Sequence, residues 1–146
     1  CLSKGLGCPI GSVLLGKQEI MKKSIRIRKI LGGAMRQSGY LAAAGIFALE
    51  NNIKRLADDH LRAKEIGEKL INMSFVKKVQ DIETNIIVFE IDKSVKKDII
   101  INAFNKLNIL FDWHSMGAKK IRIVTHINYT KEKHTYLLDS LETLKI

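Results

Sequence analysis

Asn85-Ile86-Ile87-Val88-Phe89-Glu90-Ile91 is the stretch that decides the fold. It is rich in β-branched and aromatic residues and too short for a helix, so it reads as a strand. Before Met73 the apolar residues recur at helical spacing; after it they do not. The chain therefore changes architecture near residue 73. A shorter strand is expected over 76–80, and two more over 109–111 and 120–126. Ser94 is a plausible N-cap for a helix carrying Val95, Ile99, Ala103 and Leu107. Thr130 serves a last helix with Leu137, Leu141 and Leu144 facing inward. Strand, strand, helix, strand, strand, helix is the signature of a small α+β domain.

Upstream, Ile46, Leu49, Ile53, Leu56, His60, Ala63, Gly67 and Leu70 repeat at spacings of three and four. That predicts one buried stripe along a long helix, or along two nearly collinear ones. Asn51-Asn52 has the poorest helix propensity in the run and marks the expected bend or boundary. Residues 17–31 read as a basic amphipathic helix with Ile20, Ile27 and Leu31 on one side, closed by Gly32-Gly33. Residues 1–16 are punctuated by Gly5, Gly7, Gly11 and Gly16. Tight turns are expected there, around a short strand Ser12-Val13-Leu14-Leu15.

The chain has 146 residues, 25 Lys+Arg against 15 Asp+Glu, and a net charge of +10. With 46% hydrophobic residues it can bury a core, which excludes wholesale disorder. No apolar run reaches the roughly 18 residues that a membrane helix needs. The two cysteines, Cys1 and Cys8, form no disulfide framework and lack a zinc-ligand rhythm. A reducing cytoplasm is the default location. The chain opens on Cys1 and resembles neither signal nor transit peptide, as expected of a sequence that begins mid-protein.

Four residues are candidates for chemistry. Lys4, in Ser3-Lys4-Gly5-Leu6-Gly7, becomes a nucleophile if its ammonium is desolvated, and its glycine neighbours would let a flat cofactor approach. The alternative is a solvated lysine in a turn. Arg36 follows a glycine pair and is expected in the first turn of a helix, where it can help bind an anion; otherwise it is an exposed arginine in a helix–helix turn. Arg122 alternates with Ile121 and Ile123, so it shares a strand face with Val124 and His126. It is placed for a bidentate grip on a carboxylate, or for the wet face of an antiparallel sheet. Lys29 belongs to the run Lys22, Lys23, Arg26, Arg28, Lys29, which suits phosphate or solvent. With 6% aromatic residues and no recognised motif, that run does not define a nucleic-acid site. His60 reads as a core histidine, while His114 and His134 have no partners at metal spacing, so no metal is expected.

Four segments together resemble a known family: Ser3 to Ser12; Arg28-Lys29 with Gly32-Gly33-Ala34-Met35-Arg36-Gln37; Leu41-Ala42-Ala43-Ala44-Gly45; and Ile121-Arg122-Ile123-Val124-Thr125-His126. In this order and spacing they are similar to the C-terminal part of the aromatic amino acid β-eliminating lyase/threonine aldolase group, in particular the low-specificity L-threonine aldolases. The resemblance implies an α/β chain of fold type I, the pyridoxal-phosphate-dependent transferase-like fold. Residues 1–52 would end the large cofactor domain and 53–146 would form the small C-terminal α+β domain. It implies pyridoxal 5′-phosphate as cofactor, with Lys4 as its Schiff-base lysine and Arg36 and Lys29 near its phosphate. Arg122 would hold the substrate carboxylate, in a homodimer or homotetramer. The implied reaction is retro-aldol cleavage of L-threonine or L-allo-threonine to glycine and acetaldehyde. Ala34 stands where the family often has a third glycine. The family's phosphate-binding turn, ring-stacking histidine and pyridine-pairing aspartate lie upstream of the matching region. A catalytically inactive fragment and a basic binding module are therefore the competing expectations.

Overall fold

The computed structural model describes residues 1–112, 116, 119–144 and 146. Its elements are α1 (Gln18–Ile30), α2 (Gly39–Asn51), α3 (Leu56–Leu70), β1 (Val76–Val79), β2 (Ile86–Ile91), α4 (Lys97–Lys106), β3 (Lys120–Val124) and α5 (Lys131–Thr143). They fall into two compact units, Cys1–Lys54 and Arg55–Ile146.

In the second unit, β2 is the middle strand of a three-stranded antiparallel sheet ordered β1-β2-β3. Ile87 pairs with Ile123 and Phe89 with Ile121. Strand alternation puts Ile87, Phe89 and Ile91 on one face, and all three are buried. Against that face cluster Ala63, Ile66 and Leu70 of α3, Phe75 just before β1, Ile100 and Phe104 of α4, and Leu137 and Leu141 of α5. Gly67 permits the close approach of α3 to the chain leaving β1: a Cβ there would lie 2.2 Å from Ile82 Cδ1. Phe104 is the hub of α4, edge-on to Phe75 at 6.1 Å and tilted against Phe111 at 5.0 Å. Phe104→Ala should cost about 3–5 kcal/mol, read as a lower urea midpoint with an unchanged slope.

Several expectations are corrected. Residues 109–111 form no strand and pair with neither edge of the sheet. Asn108 takes φ +54 after α4, and Ile109 and Phe111 pack on the core instead. Ser94 does not cap α4; its N–H and hydroxyl both bond Asp92 Oδ1, at 2.8 and 2.6 Å. That pair of bonds holds the Asp92 carboxyl below its ordinary range. The helix then starts at Lys97, and its inward face is Ile100 and Phe104 rather than Ile99 and Ala103. Thr130 does cap α5, accepting from Lys133 N–H at 3.4 Å.

In the first unit, α1 ends as the glycine pair requires. Gly33 N–H donates to Arg28 O (2.8 Å) and Gly32 N–H to Lys29 O (3.1 Å), with Gly32 at φ +76, a Schellman closure. Residues 12–15 are not a strand, and Val13, Leu14 and Leu15 are exposed. The helical stripe breaks at 52–55 as Asn51-Asn52 suggested. Yet α2 buries Gly45 and Ala48, leaving Ile46 and Leu49 exposed. It is apolar nearly all round, so period alone could not choose its face. No helix among the described residues is long and apolar enough to cross a membrane.

Candidate active site

Lys4 stands on a loop closed by Leu2 N–H to Gly11 O (2.8 Å) and Cys8 N–H to Leu2 O (3.1 Å). Gly7, at φ +75, donates its N–H to Lys4 O at 2.9 Å and so completes a turn that a side chain at position 7 would strain. Two side chains pin this loop within its unit. The buried Cys8 thiol reaches Ala44 O at 3.5 Å, and Asn52 Nδ2 donates to Leu6 O at 2.7 Å. The Lys4 side chain itself is exposed.

Lys29 lies in the last turn of α1. Arg36 sits in the turn before α2 rather than in its first turn, as expected from sequence, because the helix begins only at Gly39. Both are exposed. Residues 1–54 carry nine Lys+Arg against two Asp+Glu, a net +7, so most of the chain's positive charge is here. The Lys4 amine is thus solvated rather than desolvated in this chain, while the cations of its unit suit a ligand that carries a phosphate.

Arg122 belongs to the second unit. Ile121 is buried beneath the sheet, which turns Arg122 to the opposite, exposed face. Arg122 also lines a cleft of about 750 Å³ with His126, Tyr129 and Tyr136, whose apolar side includes Ile109 and Leu110. Among the described residues, Lys4, Lys29, Arg36 and Arg122 take part in no ion pair.

Polar ties anchor this cleft, and sequence reading missed them. The buried polar position on α3 is Asp59, fully buried, whereas His60 is only partly so. Arg55 Nη2 meets Asp59 Oδ1 at 2.7 Å, the Thr125 hydroxyl donates to Asp59 O at 2.6 Å, and Asn85 Nδ2 donates to Thr125 O at 2.7 Å. These bonds fix the end of β3 against α3, next to Arg122 and His126. The signal that could have found Asp59 is its i−4 partner Arg55. Arg55→Met should destabilise the chain by about 3 kcal/mol in thermal or urea unfolding, because it strands a buried carboxylate. His134, buried, bonds Glu65 Oε2 through Nε2 at 2.6 Å and Tyr129 Oη through Nδ1 at 3.2 Å. No group of three potential metal ligands occurs among the described residues, which do not include His114.

The arrangement of helices and small sheet is that of fold type I pyridoxal-phosphate enzymes. An alanine–glyoxylate aminotransferase from Nostoc sp. superposes with TM-score 0.61 at 18% identity, over 99% of this chain and 46% of that one. The chain belongs to the beta-eliminating lyase family, whose sequence pattern matches residues 1–94. It is 40% identical over 134 residues to the low specificity L-threonine aldolase of Escherichia coli K12, covering 91% of this chain and 38% of that protein. Low-specificity L-threonine aldolase 1 of Arabidopsis thaliana is 36% identical over 150 residues, covering 97% of this chain and 40% of the plant protein. The chain thus spans about two fifths of the length of these relatives. Family and fold together make pyridoxal 5′-phosphate the cofactor.

Proposed function

We propose that this chain is the C-terminal part of a threonine aldolase that cleaves L-threonine or L-allo-threonine to glycine and acetaldehyde. The observation that carries this reading is the 40% identity to such an enzyme over 91% of the chain. Residues 1–52 then close the cofactor domain and 53–146 form the small domain. This boundary lies close to the Lys54/Arg55 division of the fold.

Each residue has a role that its chemistry permits. Lys4 would hold the cofactor by its amine, the group suited to the cofactor's aldehyde. Arg36 and Lys29 supply positive charge for the cofactor phosphate. Arg122 takes the substrate carboxylate in its planar fork and so fixes the orientation of the bond to be broken. When bound, pyridoxal phosphate supplies the electron sink for Cα–Cβ cleavage.

The assembly is proposed to be a homo-oligomer. Leu15 is 86% exposed, Leu31 79% and Tyr40 85%, an apolar surface that favours association. The 146-residue chain alone should self-associate in light scattering, and Leu15→Ser with Leu31→Ser should reduce it. With pyridoxal phosphate and threonine the same chain should release no acetaldehyde, since the family's ring-contacting groups lie upstream. The deciding experiment is a coupled acetaldehyde assay on the full-length protein. Absence of threonine cleavage there would overturn the proposal.

A further inference from the structure

Glu65, His134 and Tyr129 form a hydrogen-bonded chain that ends on the wall of the Arg122 cleft. The role proposed above for Arg122 makes no use of it. Its inner member, His134, is 7% exposed; Glu65 at its outer end reaches solvent. Two further contacts hold Tyr129 in place. Its ring stands edge-on to the His134 ring at 5.7 Å, and Arg62 Nη1 donates to its carbonyl at 2.5 Å.

The chain has a direction, which protonation of His134 reverses. Glu65 carboxylate only accepts, so His134 Nε2 carries a proton. In the neutral imidazole Nδ1 then has none, and Tyr129 must donate its O–H to Nδ1. Its oxygen is left with lone pairs only, which oppose a carboxylate in the cleft. When His134 is protonated, Nδ1–H donates to Tyr129 Oη instead. The phenol proton is released to donate elsewhere. The phenol itself stays protonated throughout, since burial pushes its hydroxyl up to about 12, with Arg62 opposing and Glu65 reinforcing the shift.

We infer that Tyr129 is a second ligand-binding residue of the cleft, with His134 and Glu65 as positioning residues that set whether it offers a donor to a bound carboxylate. The inference rests on the proposed role of Arg122 as the primary carboxylate contact. The charged groups around the chain are Glu65 and Arg62 of α3, which both act on Tyr129. Arg122, His126, Glu132, Lys133 and Asp112 line the cleft.

The test uses the full 146-residue chain in a His126→Asn background, so that no imidazole lines the cleft itself. The probe is N-acetyl-L-threonine, a carboxylate with no free amine, followed by ligand-observed NMR from pH 5.5 to 8.5. His134 is titrated separately by the deuterium exchange of its ring C2–H, read by peptide mass spectrometry. The expected result is probe affinity about 10- to 100-fold higher at the acid end, one added charge-assisted hydrogen bond. Its midpoint should coincide with that of His134, and Tyr129→Phe should abolish the pH dependence while retaining binding. A pH dependence that survives Tyr129→Phe overturns the inference, as does pH-independent binding in the background protein. Arg122→Gln separates the two readings. Binding unchanged in that variant removes the Arg122 role, whereas binding lost there with Tyr129→Phe behaving like its parent removes only the Tyr129 role. No measurable binding to the background protein overturns both.

Discussion

Lys4→Ala in the full-length protein is expected to lower threonine cleavage by at least about 10³-fold, because no other group replaces a covalent amine nucleophile. Borohydride reduction of the wild-type enzyme, followed by peptide mapping, should place a pyridoxyl label on Lys4. In the variant that label should vanish. The loop geometry makes the substitution a clean one. Leu2–Gly11 and Gly7–Lys4 are backbone bonds, and Cys8 and Asn52 do the pinning, so none depends on the lysine side chain. A label on a different lysine, or turnover near wild type in Lys4→Ala, would remove this residue from the mechanism.

Arg122→Lys is expected to raise the KM for threonine about 10- to 100-fold. The substitution keeps the charge but removes the planar pair of donors, and hydrogen bonds to charged groups contribute about 1.5–3 kcal/mol. Retention of cofactor should be little changed, since Arg122 and Lys4 belong to different units of the chain. Folding should also be unaffected: Arg122 is exposed, while the sheet is held by its neighbour Ile121, paired with Phe89. Steady-state kinetics beside a thermal melt would distinguish these effects. An unchanged KM would count decisively against a carboxylate contact.

Local pattern carried much of this protein's architecture. Alternation in 86–91 and 120–124, the Gly32-Gly33 stop and the Thr130 cap are each properties of a few adjacent residues, and each appears in the structure. Where local pattern was silent or ambiguous, it misled. The uniformly apolar α2 could not show that Ala48, rather than Leu49, is buried. The buried stripe of α4 lies one residue on from its expected place, and the residue expected to cap the helix is bonded to Asp92 instead. Residues 109–111 have strand-forming composition, yet Ile109 and Phe111 pack on the core instead of pairing with the sheet.

The same division holds for the site. Lys4, Lys29, Arg36 and Arg122 could be proposed from sequence because each stands in a short motif whose neighbours shape the backbone around it. The Asp59–Arg55–Thr125 anchor and the Glu65–His134–Tyr129 chain could not. Their members lie up to 69 residues apart in sequence, and no residue announces its distant partner. Sequence alone determined the strand and helix periods, the glycine turns and the family, because these depend on residues close along the chain. Only the tertiary structure decided which polar groups are buried together. Burial of Asp59 is tolerable because Arg55, one helical turn away, pairs with it, and burial of His134 because the fold brings Glu65 to it.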